Sequence, residues 1–150
     1  MTPEVIFIVL NSAVKQRTVC DLAEKLFLSR KRVVIHVADK QEGELFNKLL
    51  WTWKQASFIP HTYIDQLRTP LEEPVVITPQ IDTTADYDAL VLAAPAAKEV
   101  TDRFPVILDF ADKYDQARLL ESRERYRLYR SYKYQLENMQ PGDFFAAVLK

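Results

Sequence analysis

Glycine is nearly absent from this sequence of 150 residues, which contains only Gly43 and Gly142. Loops that wrap a phosphate need glycines, because the backbone N–H groups must approach the phosphate oxygens closely. The turn expected after the first strand, at residues 11–14, reads Asn-Ser-Ala-Val, and its first two side chains suit helix capping. No G-x-G-x-x-G, G-x-x-x-x-G-K-S/T or G-x-S-x-G pattern occurs. The sequence therefore lacks the phosphate loops and the nucleophile elbow of common enzymes, and we predict no catalytic residues.

Cysteine and histidine are equally scarce. Cys20 is the single cysteine, which excludes an internal disulfide and is typical of a reducing cytosol. His36 and His61 are the only histidines and lie far apart in the sequence, so they form no ligand cluster at zinc spacing. We therefore expect no metal and no cofactor.

Long apolar runs are missing too, and none approaches the ~20 residues that span a bilayer. Residues 1–4 lack the basic region of a signal peptide, so we expect a cytoplasmic protein. The net charge of −1 provides no overall attraction to nucleic acid. A chain of this length, with 48% apolar and 27% charged residues, is most simply one globular domain over residues 1–150.

Apolar, β-branched runs alternate with helical patterns along the chain. This order predicts an α/β domain of three layers, α/β/α, with a mostly parallel central sheet, similar to nucleotide-binding domains but without a phosphate loop. Residues 63–74 are expected to form a loop. The predicted strands are 5–10, 33–38, 75–78, 87–94 and 106–110, and the predicted helices are 13–28, 95–103, 116–139 and one capped by Asp39 that runs to about 51.

The predicted helix 116–139 carries the only strong concentration of basic residues. Between Arg118 and Lys133 there are six basic residues, two acidic residues and three tyrosines. Arg123, Arg127 and Arg130 fall within roughly 60° of one another at 100° per residue. This stripe suits an acidic partner with a hydrophobic anchor, and the alternative is a solvated surface helix. The flanking residues are Leu119, Leu120 and Tyr126.

Two further segments have more than one interpretation. Residues 51–61 crowd two tryptophans, a phenylalanine and a proline together, which favours either a hydrophobic plug under a loop or an exposed aromatic patch for a protein partner. Pro141 and Gly142 are predicted to end the long helix. The apolar segment 143–150 then docks on the core or completes a partner's surface.

Three motifs occur in a fixed order along the chain. Leu50-Trp51 is followed by Ser-Phe-Ile-Pro-His at 57–61, Asp109-Phe110 ends a strand, and residues 123–130 read Arg-Glu-Arg-Tyr-Arg-Leu-Tyr-Arg. Together with Val19-Cys20 in the first helix, they make the sequence resemble the chi subunits of bacterial DNA polymerase III over most of its length. That resemblance implies a non-catalytic adaptor within a DNA-directed DNA polymerase complex, with no cofactor.

The resemblance also implies two protein partners. One is the psi subunit, which tethers chi to the clamp loader as a 1:1 heterodimer, and the other is the acidic, Phe-terminated tail of single-stranded-DNA-binding protein. DNA is then contacted only indirectly, at the nucleoid-associated replisome. The implied psi-binding residues are Trp51, Phe58, Pro60 and His61, whereas Trp53 has no counterpart.

For the tail site the resemblance implies a role for each residue. Arg123 binds the terminal carboxylate, Tyr126 forms a wall, Arg127 meets the tail's acidic residues, and Ala111 lines the floor in place of a bulkier valine. The resemblance also implies a basic residue about one helical turn before Arg123. Because one extra residue lies between Phe110 and the basic motif, this position corresponds either to Arg118 or to Leu119, in which case the charge is absent. Arg130 completes the candidate set.

Two other function classes stay open on sequence alone. One is a small enzyme derived from a nucleotide-binding ancestor. The other is a module that binds single-stranded DNA directly, since guanidinium and aromatic planes stack on bases.

Overall fold

A computed structural model describes residues 2–53, 58–82 and 87–148, with side chains described up to Phe144. In these ranges the chain forms seven strands and five helices. The strands are β1 Glu4–Leu10, β2 Val33–His36, β3 His61–Tyr63, β4 Val75–Thr78, β5 Ala89–Leu92, β6 Val106–Asp112 and β7 Gln135–Met139. The helices are α1 Lys15–Leu28, α2 Lys40–Trp51, α3 Lys98–Thr101, α4 Gln116–Ser131 and α5 Pro141–Val148.

All seven strands form one sheet in the order β3-β4-β2-β5-β6-β1-β7, and every pairing is parallel. Strand β1 shows how the sheet separates two cores. Its residues Ile6, Ile8 and Leu10 pack with α1, α2 and α5, whereas Val5 and Phe7 pack with α4 and the segment around Phe104. Apolar side chains on both faces explain the continuous apolar runs in the sequence. The predicted three-layer α/β architecture is confirmed.

The predicted helix over 116–139 is too long. Helix α4 ends at Ser131, Lys133 adopts a left-handed φ of 66°, and residues 135–139 form strand β7. This strand pairs in parallel with β1, from Glu4 opposite Gln135 to Ile8 opposite Met139. The pairing is between residues far apart in sequence, and no glycine or proline marks the break, so the local pattern alone favoured a longer helix.

Three smaller expectations also differ from the structure. Pro141 and Gly142 begin α5 rather than end a helix, which fits the preference of proline for the first helical position. The segment expected as a loop from residue 63 overlaps the short edge strand β3. Helix α1 begins at Lys15 after Val14, so neither Asn11 nor Ser12 caps it.

Other local predictions are confirmed. The side chain of Asp39 caps α2 by accepting a hydrogen bond from the backbone N–H of Glu42. Cys20 is fully buried, and this burial raises the pKa of its thiol to about 12, as expected for a packed structural cysteine. Phe144 of α5 is buried in the core with α1, so the terminal apolar segment does dock on the domain.

Polar contacts add to the packing of Tyr126 and Tyr129 on Phe7 in attaching helix α4 to the sheet, and only Ser122 and Tyr129 of its residues are buried. The Nε of Arg125 donates to Asp109 Oδ2 at 2.9 Å and its Nη2 donates to Oδ1 at 3.1 Å. The Tyr129 hydroxyl donates to the same carboxylate at 2.8 Å. Ser122 Oγ donates to the carbonyl of Phe110 at 2.9 Å.

The charge states of this network are well defined. Asp109 is 1% exposed. Burial by itself would lower the pKa of Arg125. The negative charge of Asp109 and its hydrogen bonds outweigh this effect, so the pKa of Arg125 lies above its ordinary value. Burial and then the Asp109 carboxylate raise the pKa of Tyr129, so its hydroxyl stays protonated and donates. The network therefore holds one carboxylate between a cation and a neutral donor.

Substituting Asp109→Asn should reduce the free energy of unfolding by about 3 kcal/mol, because it leaves the Arg125 charge without its buried partner. Urea denaturation followed by circular dichroism measures the change. The matched control is Glu124→Gln, which removes the exposed pair that Glu124 forms with Arg127 at 2.7 Å and should cost less than about 1 kcal/mol. Equal stability of the two variants would show that α4 does not depend on Asp109.

Gly43 lies in α2 directly under the ring of Tyr63, and a Cβ at this position would lie 2.7 Å from Tyr63 Cδ2 and in contact with Cε2. We expect Gly43→Ala to destabilise the protein by about 1–2 kcal/mol, because overpacking outweighs the gain in helix propensity. Thermal denaturation tests this. Gly142→Ala, where nothing lies within 4 Å of the added Cβ, should be neutral or stabilising. Adding Tyr63→Ala should relieve the Gly43→Ala defect, and no relief would contradict the steric explanation.

Candidate protein-binding sites

A cavity of about 160 Å³ lies between α4 and strand β7, and we call it the α4–β7 cavity. Three residues that the sequence analysis proposed for one site, Arg123, Tyr126 and Ala111, all line it. Arg123 and Tyr126 project from the same flank of α4, and Ala111 comes from β6. The other lining residues are Phe7, Lys113, Leu119, Ser122 and Asn138.

The chemistry of this cavity is apolar on one side and cationic on the other. The ring of Tyr126 packs against that of Phe7, with centroids 5.5 Å apart, and Leu119 extends the apolar surface. Arg123 and Lys113 supply two positive charges, and no acidic residue lines the cavity. Among the described residues, no carboxylate lies within salt-bridge distance of either cation. The cavity is therefore suited to an anionic group attached to an apolar one.

Sequence reasoning missed Lys113, Phe7 and Asn138. Asn138 was placed inside a helix, whereas it lies in β7 beside β1, which brings it near Phe7. Lys113 lies in the turn directly after β6, two residues beyond Ala111, so strand periodicity within β6 did not include it. Leu119 lines the cavity where the resemblance implied a further cation, and Lys113 is a second cation there.

The remaining arginines of the candidate set lie elsewhere. Arg118 is about 140° from Arg123 around the helix axis and lines clefts on the other flank of α4. Arg127 is exposed and its Nη1 donates to Glu124 at 2.7 Å. Arg130 is exposed one turn beyond Arg127. The structure therefore brings Arg123, Tyr126 and Ala111 together and separates Arg118 from them.

A second site is an exposed aromatic pair, formed by Trp51 and Phe58. Trp51 is 61% exposed and Phe58 is 66% exposed, and their ring centroids lie 5.8 Å apart. The ring of His61 contacts Trp51 edge-on at 4.9 Å. His61 itself is buried, with its ring nitrogens 2.6 and 3.1 Å from the carbonyl oxygens of Ile59 and Asn47. Exposed aromatic groups of this size are typical of protein-binding surfaces.

Segment 51–61 contains a part that is buried like a hydrophobic plug and a part that forms an exposed aromatic patch. Ile59 is 1% exposed and fills the core, and the half-buried Trp53 packs against the same core. Trp51 and Phe58 face outward, and Pro60 is half-buried between these two environments. Residues 54–57, including Ser57 of the motif, lie outside the described residues.

A third region is a cleft of about 240 Å³ at the carboxyl edge of the sheet, which we call the carboxyl-edge cleft. Burial lowers the pKa of Lys15 and raises the pKa of Asp112, and the attraction between these two lining residues opposes both shifts. The lining includes Lys15, Leu92, Asp109, Asp112, Arg118 and Arg125.

The described ranges contain neither a metal-ligand cluster nor a membrane-spanning helix. In these ranges no three or more His, Cys, Asp or Glu residues are grouped as metal ligands would be. No helix in the described part of the chain is long and apolar enough to cross a membrane.

Comparisons with solved structures bear on the fold alone. The C-terminal domain of a Saccharomyces cerevisiae Dbp5 variant, solved with Gle1 and IP6, matches with a TM-score of 0.57 at 10% identity. The match covers 99% of this chain and 96% of that domain. This likeness supports the α/β architecture and indicates nothing about binding.

Sequence comparisons identify the family. The family model described as DNA polymerase III chi subunit, HolC, matches residues 1–137. DNA polymerase III subunit chi of Escherichia coli (strain K12) is 29% identical over 119 residues, covering 79% of this chain and 80% of that protein. The probable chi subunit of Rickettsia prowazekii (strain Madrid E) is 31% identical over 80 residues, covering 53% and 47%. Together with the motif order, these matches show that the chain belongs to the family of DNA polymerase III chi subunits, which are accessory subunits of that polymerase.

Proposed function

We propose that this chain is a non-catalytic adaptor that joins two proteins of the bacterial replisome in the cytoplasm, at the nucleoid. The aromatic pair binds the psi subunit, which connects the chain to the clamp loader. The α4–β7 cavity binds the acidic C-terminal tail of single-stranded-DNA-binding protein. The observation that carries the proposal is the convergence of Arg123, Tyr126 and Ala111 on one cavity with a cationic rim.

The cavity matches the two chemical features of such a tail. The guanidinium of Arg123 binds the terminal carboxylate in a bidentate manner, and Lys113 adds a second positive charge. The terminal phenylalanine ring packs against Tyr126, Phe7 and Leu119. A charge-assisted hydrogen bond contributes about 1.5–3 kcal/mol, and burial of the ring contributes a similar amount.

Acidic residues preceding the terminal phenylalanine meet Arg127 and Arg130 on the exposed face of α4. Arg127 must first leave Glu124, but both side chains are about 70% exposed, so this pair contributes little. Exposed pairs of this kind are screened by salt, so binding of the tail weakens as ionic strength rises.

The positions of the two sites favour bridging. His61 beneath the aromatic pair begins β3, at one edge of the sheet, whereas the α4–β7 cavity adjoins β7 at the other edge. Six interstrand spacings of about 4.8 Å place these edges roughly 29 Å apart. Both partners can therefore bind the same molecule without contacting each other's site.

One feature argues against direct binding of single-stranded DNA by α4. Stacking on bases requires exposed aromatic faces. Tyr129, Tyr132 and Tyr134 instead pack on one another, with centroids 5.4 to 6.4 Å apart, and Tyr126 packs on Phe7. DNA is therefore reached through the protein partner.

The tail site is tested by calorimetric titration with a short acidic peptide that ends in Pro-Phe. We expect Arg123→Ala to weaken binding at least about tenfold, the effect of losing one charge-assisted hydrogen bond, and Lys113→Ala to weaken it by a smaller factor. Arg118→Ala is the matched control, because it removes the same charge from the opposite flank of α4. Failure of the folded wild-type protein to bind, or equal losses in Arg123→Ala and Arg118→Ala, would refute the site.

The psi site is tested by measuring the affinity of the psi subunit for variants of the aromatic pair. Trp51→Ala and Phe58→Ala should each cost about 2 kcal/mol or more, which is a roughly 30-fold loss of affinity, because central aromatic residues dominate interfaces. Leu128→Ala removes a comparably exposed apolar residue from α4 and should leave psi binding unchanged. Wild-type affinity in both aromatic variants would place the psi interface elsewhere, and all three variants should still bind the acidic peptide.

A further inference from the structure

The carboxyl-edge cleft has no role in either proposed protein interaction. It lies where β5 and β6 end and where α1 begins after β1, since Leu92 and Asp112 are the last residues of their strands and Lys15 is the first of α1. Ligands of open α/β sheets bind outside the carboxyl ends of the strands. The position alone shows no ligand, but two independent features of the cleft indicate what it can bind.

The first feature is the amino end of helix α1. Val14 precedes the helix without a side-chain cap, and the first turn contains no acidic residue. The backbone N–H groups of Lys15, Gln16 and Arg17 donate to no other described residue. This end of a 14-residue helix therefore presents three free donors and the positive end of the helix dipole.

The side chains around this helix end add further positive charge. A wider depression of about 720 Å³ is lined by Lys15, Arg17 and Arg118 together with Asp115, and it adjoins the carboxyl-edge cleft because Lys15 and Arg118 line both. Within the described ranges, no carboxylate lies within salt-bridge distance of these three cations. The charge of Lys15 is partly offset by Asp112, but the free N–H donors at the helix amino end, with Arg17 and Arg118 beside them, are suited to a phosphate.

The second feature is the carboxylate of Asp112. This residue is 4% exposed, lines the cleft, and has a buried Oδ1 that no hydrogen-bond donor reaches among the described residues. Its backbone is satisfied, since its N–H donates to Ser122 Oγ at 3.3 Å and its carbonyl accepts from the N–H of Asp115 at 3.5 Å. A buried acceptor without a partner is costly, so a donor supplied by a ligand would be favourable there.

We propose that the carboxyl-edge cleft binds a small phosphorylated sugar, with its phosphate at the amino end of α1 and a hydroxyl group donating to Asp112. Arg17 and Arg118 neutralise the phosphate, and the volume of about 240 Å³ holds a sugar ring. The glycine-free turn at residues 11–14 cannot wrap a chain of phosphates, so one phosphate is preferred over three. The site binds the ligand without chemical reaction.

Two kinds of ligand carry one phosphate group together with sugar hydroxyl groups, namely a free sugar phosphate and a mononucleotide. Calorimetric titration of the full chain at constant ionic strength, with ribose 5-phosphate, AMP, ATP and inorganic phosphate, separates them. We expect ribose 5-phosphate to bind saturably and more tightly than inorganic phosphate or ATP. Binding of AMP as tight as that of ribose 5-phosphate identifies a mononucleotide site, and weaker binding of AMP identifies a free sugar phosphate.

Variants test each part of the site. Arg118→Ala should weaken the binding of ribose 5-phosphate about tenfold, because a charge-assisted contact is lost. Arg17→Ala removes an exposed cation from the amino end of α1 and should weaken binding too. Asp112→Asn should weaken ribose 5-phosphate but not inorganic phosphate, because only the sugar contacts Asp112. Arg103→Ala is the control, because it removes an exposed arginine near the amino end of β6, away from the cleft, and it should bind like the wild type.

Two outcomes would overturn the proposal. One is the absence of saturable ribose 5-phosphate binding by a folded wild-type protein, and the other is wild-type affinity in both Arg17→Ala and Arg118→Ala. Circular dichroism of Asp112→Asn checks that its fold is intact, and the surface variants decide the question if it is not. Binding of the acidic peptide in the same samples reports on the protein-binding site separately.

Discussion

The buried carboxylate of Asp109 accepts hydrogen bonds from Arg125 and Tyr129 of α4 at the same time. These bonds and those of Ser122, together with the packing of Tyr126 and Tyr129 on Phe7, determine the position of α4 on β6. Because α4 contacts the sheet through only one face, both of its flanks are accessible to other molecules. One flank carries Arg123 at the α4–β7 cavity, and the other carries Arg118 at the carboxyl-edge cleft. Each binding surface of α4 therefore depends on the same buried ion pair.

The parallel sheet provides the second constraint. Its two edge strands, β3 and β7, are short, and each lies beside one of the proposed protein-binding sites. A central sheet with apolar side chains on both faces is rigid, because its interior is close-packed. Such a sheet keeps the two proposed sites at a constant separation.

The two large helices that follow β1 and β2 differ in how they begin. Helix α2 has Asp39 as a cap, and the side chain of Glu42 accepts from the backbone N–H of Ala38, so its amino end is satisfied internally. Helix α1 has no such residues, and its free N–H groups face a cleft lined by cations. In related architectures that place binds phosphate through glycine-rich loops. This chain has no glycine in the corresponding turn at residues 11–14, but the amino end of α1 is uncapped and carries the positive end of the helix dipole.

The sequence by itself determined the α/β class, the strands β1, β2, β4 and β6, the cap of α2 and the three motifs of the chi family, because these depend on local periodicity and short patterns. Only the tertiary structure decided that residues 135–139 form a strand beside β1, since that pairing joins opposite ends of the chain. The same pairing brings Asn138 and Phe7 to the cavity that Arg123 and Lys113 line. Residues that meet through a distant strand pairing leave no periodic signal, and for this reason the sequence predicted Ala111, Arg123 and Tyr126 together but not Phe7, Lys113 and Asn138, which line the same cavity.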